Sequence, residues 1–286
     1  TTTASLDVGL SGDTTRYGKL INTSAATSST VTVGSYVYIR PSDTNNKNIL
    51  DASGTKTINI SVATDWTNAD TFTAGASTVT FNRTNADQTI TTAATTQNNT
   101  FYNLTINNTG ASGSDDILLS GTLGLDVNGL LTITDGDLSP AAFNTTLGGG
   151  LNFTHATNGS WDRTGGGTLT FDGTGTWTDA GTTKRDIGTI TIDGAAITLT
   201  LGSSVKASVI TIALGDTLSL ASSGYTLVID GDGATQTVLT VTGTLTPGTS
   251  TVRYSAVNSG GNVNVTTTTY NSLQFSPASA ENYDLT

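Results

Sequence analysis

Few residues in this chain could do chemistry, and aspartates lead them. Three pairs stand close together: Asp115 with Asp116, Asp135 with Asp137, and Asp230 with Asp232. Two carboxylates flanking a glycosidic bond can divide the acid and base work of sugar hydrolysis. Each pair lies beside Gly or Ser, where an aspartate normally caps a turn with its own side chain. The pairs therefore read first as turn formers. TDGDLS at 134–139 and DGDG at 230–233 also offer the hard oxygen ligands that calcium takes. Neither stretch completes a known calcium loop, so the expectation is no cofactor, with Asp135, Asp137, Asp230 and Asp232 as weak calcium candidates. His155 is the sole histidine and cysteine is absent, which leaves no His-based triad and no Cys or multi-His metal site. Its place in LNFTHATNG puts His155 at a strand end. GLSGDT, LGGGLN and TGGGTLTF lack the Gly-Lys-Ser/Thr of a phosphate loop and read as turn glycines. No catalytic residue emerges, and the chain is expected not to be an enzyme.

Asn-X-Ser/Thr sequons occur at Asn22, Asn59, Asn82, Asn98, Asn103, Asn107, Asn144, Asn152, Asn158 and Asn264. In an exported chain of a glycosylating organism, those facing solvent are candidate acceptors. Trp66, Trp161 and Trp177 could stack on sugars, although core packing is the commoner use of tryptophan.

The elements that hold these residues are legible in the composition. Only 12% of the 286 residues are charged, Glu281 is the single glutamate, and methionine is absent. Thr, Ser, Gly and Asn dominate, which favours pleated strands joined by tight turns. The net charge of −11 opposes binding to nucleic acid, which needs Lys and Arg to neutralise phosphates. Apart from the adjacent Lys184 and Arg185, the eleven Lys and Arg are scattered singly, and no run of eighteen apolar residues could form a membrane helix. The chain starts at Thr1 without a Met, as it would after removal of a signal peptide.

Two motifs recur in step. TFYNLTINNTG (100–110), KRDIGTITIDG (184–194) and TTYNSLQFSPA (268–278) share apolar anchors at Phe101, Ile187 and Tyr270. Each anchor is followed by Leu104, Ile190 or Leu273, and then by Ile106, Ile192 or Phe275. STVTFNRT, GTLTFDGT and STVRYSAV end on Phe81, Phe171 and Tyr254. The intervals between these aromatics match those between Leu104, Ile190 and Leu273, so both markers agree on a period of about 85 residues. Trp66 and Trp161 precede the first two copies, and the third copy lacks this tryptophan. The chain is thus divided into an atypical segment 1–70, repeats 71–163 and 164–246, and an incomplete repeat 247–286.

Two all-β architectures fit a unit of this length. One is a parallel β-solenoid, with about four coils of roughly 20–25 residues per unit. The other is a string of immunoglobulin-like sandwiches. Strands as short as LTI and LTF, and the absence of linkers between copies, favour the solenoid. Phe81, Leu104, Phe171, Ile190, Tyr254 and Leu273 are then expected in one core, equivalent residues stacked.

DTFTAGASTVTFNRT, TFYNLTINNTG and GTLTFDGTGTW resemble the repeats of large bacterial and archaeal surface proteins. These are the β-helical adhesins of the filamentous-haemagglutinin and autotransporter-passenger kind and related cell-surface structural proteins. The resemblance covers residues 57–286 and implies an exported, non-catalytic structural or adhesive protein with a right-handed β-helix. No secretion domain or binding motif of those families is present.

A solenoid exposes strand edges at its ends, which natural examples cover with caps. Nothing cap-like follows Leu273, so the expectation is either a fragment of a longer repeat protein or a last coil completed by another subunit. Ala4, Leu6, Val8 and Leu10 form an amphipathic strand near the start of the chain. That strand is either part of the chain's own first coil or a donor to a neighbour's open edge. The expected function is an extracellular structural protein that assembles with itself, head to tail, into a filament or surface layer. The alternatives are an adhesin for glycans or host surfaces and, third, a polysaccharide-acting enzyme.

Overall fold

The computed structural model describes residues 2–9, 18–21, 28–41, 48–52, 57–92, 100–155, 158–162, 165–233, 237–258 and 261–286. Among the described residues it is all-β, with 51% strand and no helix. Every described strand pair is parallel, and strands pair with the strand one coil away. This is a parallel β-solenoid. The sandwich alternative fails because hairpin-linked sandwiches pair their strands antiparallel. The chain forms two compact units, residues 1–145 with 158–167, and residues 146–157 with 168–286.

In the first unit each coil has three sides. First-side strands begin at positions 2, 29, 58, 78, 103 and 130. One turn of the solenoid therefore takes roughly 20–30 residues, the size of a single stacked repeat. Leu6–Val8, Val37–Ile39, Trp66–Asn68, Gln88–Thr92, Ile117–Gly121 and Asp137–Ser139 stack as the second side. Lys19–Ile21, Ile49–Asp51 and Thr71–Thr73 stack on the third, as do Thr100–Phe101 and Leu125–Val127. Alternation decides which side chains enter the core, because successive residues of a strand point to opposite faces. In Ile58–Val62 the three aliphatic residues are buried and Asn59 and Ser61 are partly exposed. In register, Ile60, Val79, Leu104 and Leu131 form one inward ladder, and Val62, Phe81, Ile106 and Ile133 the next. Trp66 and Trp177 are sealed inside and Trp161 is nearly so, which takes all three out of play for stacking on sugars.

The second unit repeats this plan. Its first side comprises Gly150–Phe153, Gly175–Asp179, Thr198–Leu201, Thr217–Ser219 and Thr244–Thr246. Its second side comprises Val205–Ala207, Thr226–Ile229, Thr251–Tyr254 and Ser272–Phe275. Its third comprises Leu169–Phe171, Thr189–Ile192, Val209–Ile212 and Leu239–Val241, with Val263–Val265 and Tyr283–Leu285 beyond them. Corners carry buried polar side chains that satisfy turn amides. Asp216, fully buried, accepts from Gly194 N and Ile197 N, each at 2.9 Å. Gly248 stands at φ +55°, and a Cβ there would lie 1.8 Å from Ala221 O, so this corner requires glycine.

The two repeat motifs are lateral neighbours. Phe81 pairs with Ile106, Phe171 with Ile192, and Tyr254 with Phe275, one coil apart in every copy. The expected stacking of equivalent residues is corrected. Phe171 lies on the third side of its unit and Tyr254 on the second, because the chain between them makes three full turns and two further sides. A period that is not a whole number of turns moves each copy to a new side. A second correction concerns Leu273. The other five marker residues are fully buried, but Leu273 is only partly covered, because no described strand lies beyond Ser272–Phe275.

Candidate functional site

The second side of the second unit begins one coil late, and a groove results. Between Gly175–Asp179 and Thr189–Ile192 the chain makes a loop through residues 180–188 where a second-side strand would stand. Asp179, 1% exposed, folds this loop back. Its carboxylate accepts from Gly181 N at 2.7 Å, Arg185 N at 2.7 Å and Arg185 Nη1 at 2.6 Å. Arg185 then donates from Nη2 to His155 O at 2.8 Å and lies over the Phe153 ring. Lys184 donates to Asp179 O at 2.9 Å and to Gly181 O. The loop sets Thr182, Thr183 and Lys184 along one wall of a groove of about 290 Å³.

The facing wall comes from three strands in register. Lys206, Val228 and Arg253 are direct ladder partners on the outward row, and Asp230 and Ser255 follow two positions after Val228 and Arg253. Val228, only 5% exposed, floors the groove beneath the long stems beside it. Lys206 forms an ion pair with Asp230. Asp186 sits alongside, bridged to Lys206 along the backbone, its carboxylate accepting from Gly188 N at 2.8 Å and Ser208 Oγ at 2.9 Å. Burial pushes the Asp230 carboxyl above the usual range; the neighbouring Asp186 adds to this, and Lys206 opposes it. Arg253 Nε is buried and donates to no protein group, and Asp230 Oδ1 is buried and accepts from none. The lining carries three cations and one carboxylate, with the Asp186 carboxylate alongside, so the groove stays net basic in a chain of net charge −11. The arrangement can hold an anion, and beside it a group that donates to a carboxylate.

Residues 168–286 contain four basic residues, Lys184, Arg185, Lys206 and Arg253, and the fold brings all four to this loop and ladder. In the sequence Lys184 and Arg185 are adjacent, and Lys206 and Arg253 stand alone. The available signal is the spacing of Asp186, Lys206, Val228 and Arg253, which follow one another at intervals of a single coil. The sequence-predicted carboxylates do not converge. Asp135 accepts from its own turn, Gly136 N at 3.0 Å, and from Asn158 Nδ2 at 3.0 Å. Asp230 faces an ammonium, and Asp232 lies in the strand Asp232–Gly233, its side chain outside the described residues. Among the described residues no three His, Cys, Asp or Glu side chains are grouped to hold a metal ion. His155 stands exposed just after Gly150–Phe153, the strand-end position its sequence suggests.

Of the sequons, Asn22 and Asn98 lie outside the described residues. Asn144 and Asn158 are exposed, and Asn59, Asn82, Asn103, Asn107, Asn152 and Asn264 are partly exposed. Asn158 and Asn264 use Nδ2, the atom a glycan would take, in hydrogen bonds to Asp135 and to Thr237.

A second surface is the edge left by the last strands. On the second side, Ala207, Ile229 and Tyr254 are fully buried in register, and the next member, Phe275, is 47% exposed. On the third, Val265 is buried and its ladder partner Leu285 is 74% exposed. Phe275 packs on the Tyr283 and Tyr254 rings at 4.7 and 6.1 Å. Near the start of the chain, Leu6–Val8 pairs in parallel with Val37–Ile39 of the same chain. It is therefore the strand of an ordinary first coil and not a detached donor; Val8 is buried, Leu6 partly exposed, Ala4 exposed, and Leu10 lies outside the described residues. Comparison with protein-family models, with curated proteins and with solved structures finds no match.

Proposed function

We propose that the chain is an extracellular structural protein that assembles head to tail into a filament or surface layer. The observation that carries this is the unfinished apolar ladder at Phe275 and Leu285, whose inner members are buried and whose outer members are not. A further parallel coil would cover both residues and pair the open edge of Ser272–Phe275. The first coil of a second copy is such a coil, since among the described residues Thr2–Thr3 and Leu6–Val8 each pair on one edge only. Unlike ends in contact make a heterologous interface, which propagates instead of closing. The assembly surface is thus the outer edge of residues 2–8, in place of a free strand, with Leu6 and Val8 as its apolar contributors. No binding to nucleic acid and no membrane insertion form part of this function, and the chain needs no cofactor for it.

Electron microscopy with sedimentation tests the proposal. Unmodified protein should form linear polymers, and Phe275→Asp or deletion of residues 1–12 should leave folded, unpolymerised chains. Polymers of normal morphology from either variant would refute the interface. An intact native mass larger than this sequence, with glycans removed, would assign the edge to a following coil of the same chain.

A further inference from the structure

We propose that the groove between the 180–188 loop and the Lys206–Val228–Arg253 ladder binds a sugar acid, a ring that carries both a carboxylate and hydroxyl groups. The site lies on the side of the solenoid and is independent of the assembly edge. Three features of the groove select this chemistry together.

The first is its charge. Lys184, Lys206 and Arg253 converge on one space, and among the described residues Arg253 has no carboxylate partner. Its guanidinium can meet a carboxylate with two parallel hydrogen bonds, a geometry that lysine cannot supply. The second is the unpartnered Asp230 Oδ1. A bare anion such as phosphate would be repelled by this oxygen, whereas a sugar hydroxyl donates to it. The buried Nε of Arg253 and Oδ1 of Asp230 thus call for an acceptor and a donor on one small molecule. The third is the rest of the lining. The hydroxyls of Thr182, Thr183 and Ser255 can both donate and accept, and Val228 offers an apolar floor for the C–H face of a ring. A groove of about 290 Å³ is at the small end of the usual range for ligand sites and suits one or two sugar residues.

Calorimetric titration of the full chain tests the site. The probes are oligomers of galacturonate, glucuronate and mannuronate, with neutral oligomers of galactose and glucose, inorganic phosphate, and polyglutamate. At least one uronate should bind saturably, and neutral sugars, phosphate and polyglutamate should bind at least about tenfold more weakly, the worth of one charge-assisted hydrogen bond. Arg253→Gln should weaken the uronate by about tenfold or more and weaken any phosphate binding as well. Asp230→Asn should weaken the uronate but leave phosphate binding equal or tighter, a split that a general loss of folding cannot produce. Lys19→Gln, on the other unit, serves as the unchanged control. Failure of every uronate to bind would overturn the proposal. Polyglutamate binding as tight as the best uronate would also overturn it and assign the groove to an acidic protein partner. Phosphate binding of equal strength would overturn the sugar-acid assignment and reduce the groove to a plain anion site.

Discussion

The second and third sides of the second unit use the same backbone ladder for different ends. On the third side the outward residues Thr189, Thr191, Thr211 and Thr240 make a nearly uniform threonine surface, backed by Ile190, Ile192, Ile210 and Ile212. On the second side the inward row is equally apolar, but the outward row reads Lys206, Val228, Arg253, Gln274. The pleat fixes which residues face out, and the core is satisfied by either side. What the outward row does is therefore free to vary without disturbing the fold. The two sides also differ in their first coil, where the third has the strand Leu169–Phe171 and the second has the Asp179-tied loop.

The sharpest way to break this comparison is to release the loop. Asp179→Ala leaves Arg185, whose side chain is 10% exposed, without its carboxylate, and frees the amides of Gly181 and Arg185. Removing one member of a buried pair costs about 3–5 kcal/mol. Chemical denaturation should show a loss in that range, and hydrogen exchange should rise in residues 180–188. The matching change on the plain side, Thr191→Ala, should fall within about 0.5 kcal/mol of the unmodified chain. If Asp179→Ala is as mild as Thr191→Ala, the loop does not depend on this carboxylate.

A smaller effect is expected at the outer end of the second side. Tyr270 donates to Thr266 O at 2.7 Å, so in the 3.0 Å contact between the two phenols Tyr254 is the donor. Tyr270→Phe strands the hydroxyl of Tyr254, which is fully buried, and should cost about 1–3 kcal/mol; Tyr254→Phe leaves the Tyr270 bond intact and should cost about 1 kcal/mol. Burial raises both phenols, and for Tyr270 the Tyr254 contact adds to it. A raised folded value means that this contribution is complete below the ordinary phenol value near about 10 and is lost as pH rises above it. Stability measured from pH 8 to 11 should fall more steeply in the unmodified chain than in the double Phe variant. Equal slopes would show that these phenols do not govern the alkaline limb.

How much of this was legible in the sequence differs between fold and site. Alternation in stretches such as STVTFNRT and GTLTFDGT specifies short half-buried strands, and their recurrence without linkers points to stacked coils. The side on which each copy lands was hidden, because it depends on the sum of corner lengths between Phe171 and Tyr254. The groove was hidden for the same reason. Lys206 and Arg253 are distant in sequence and become neighbours two coils apart only once the turns at 213–216, 221–225 and 247–250 are counted out. The local DGDG setting marks Asp230 as an oxygen ligand, but its partner Lys206 lies one coil earlier. Local signals show local chemistry, and this site is non-local.

The smallest expected effect tests whether the groove is held in tension by its own carboxylate. Asp230 is flanked by Lys206, Asp186 and Arg253. Its folded value is raised, chiefly by burial, so its contribution to stability is present below the ordinary carboxylate value and is lost as pH rises through the folded one. At neutral pH the ionised group is therefore less well accommodated in the fold than in the unfolded chain, even with Lys206 bound. Asp230→Asn removes the charge and keeps the shape, so at pH 7 it should be as stable as the unmodified chain or slightly more so. As pH falls through the raised folded value towards the ordinary carboxylate range, protonation should restore the unmodified chain's stability relative to the variant. Denaturation midpoints of the two proteins across that range check the sign. A variant that is clearly weaker at pH 7 and draws level at pH 4 would mean that the Lys206 ion pair outweighs burial. The second side would then be a stabilised surface like the third, merely built from charges instead of threonines.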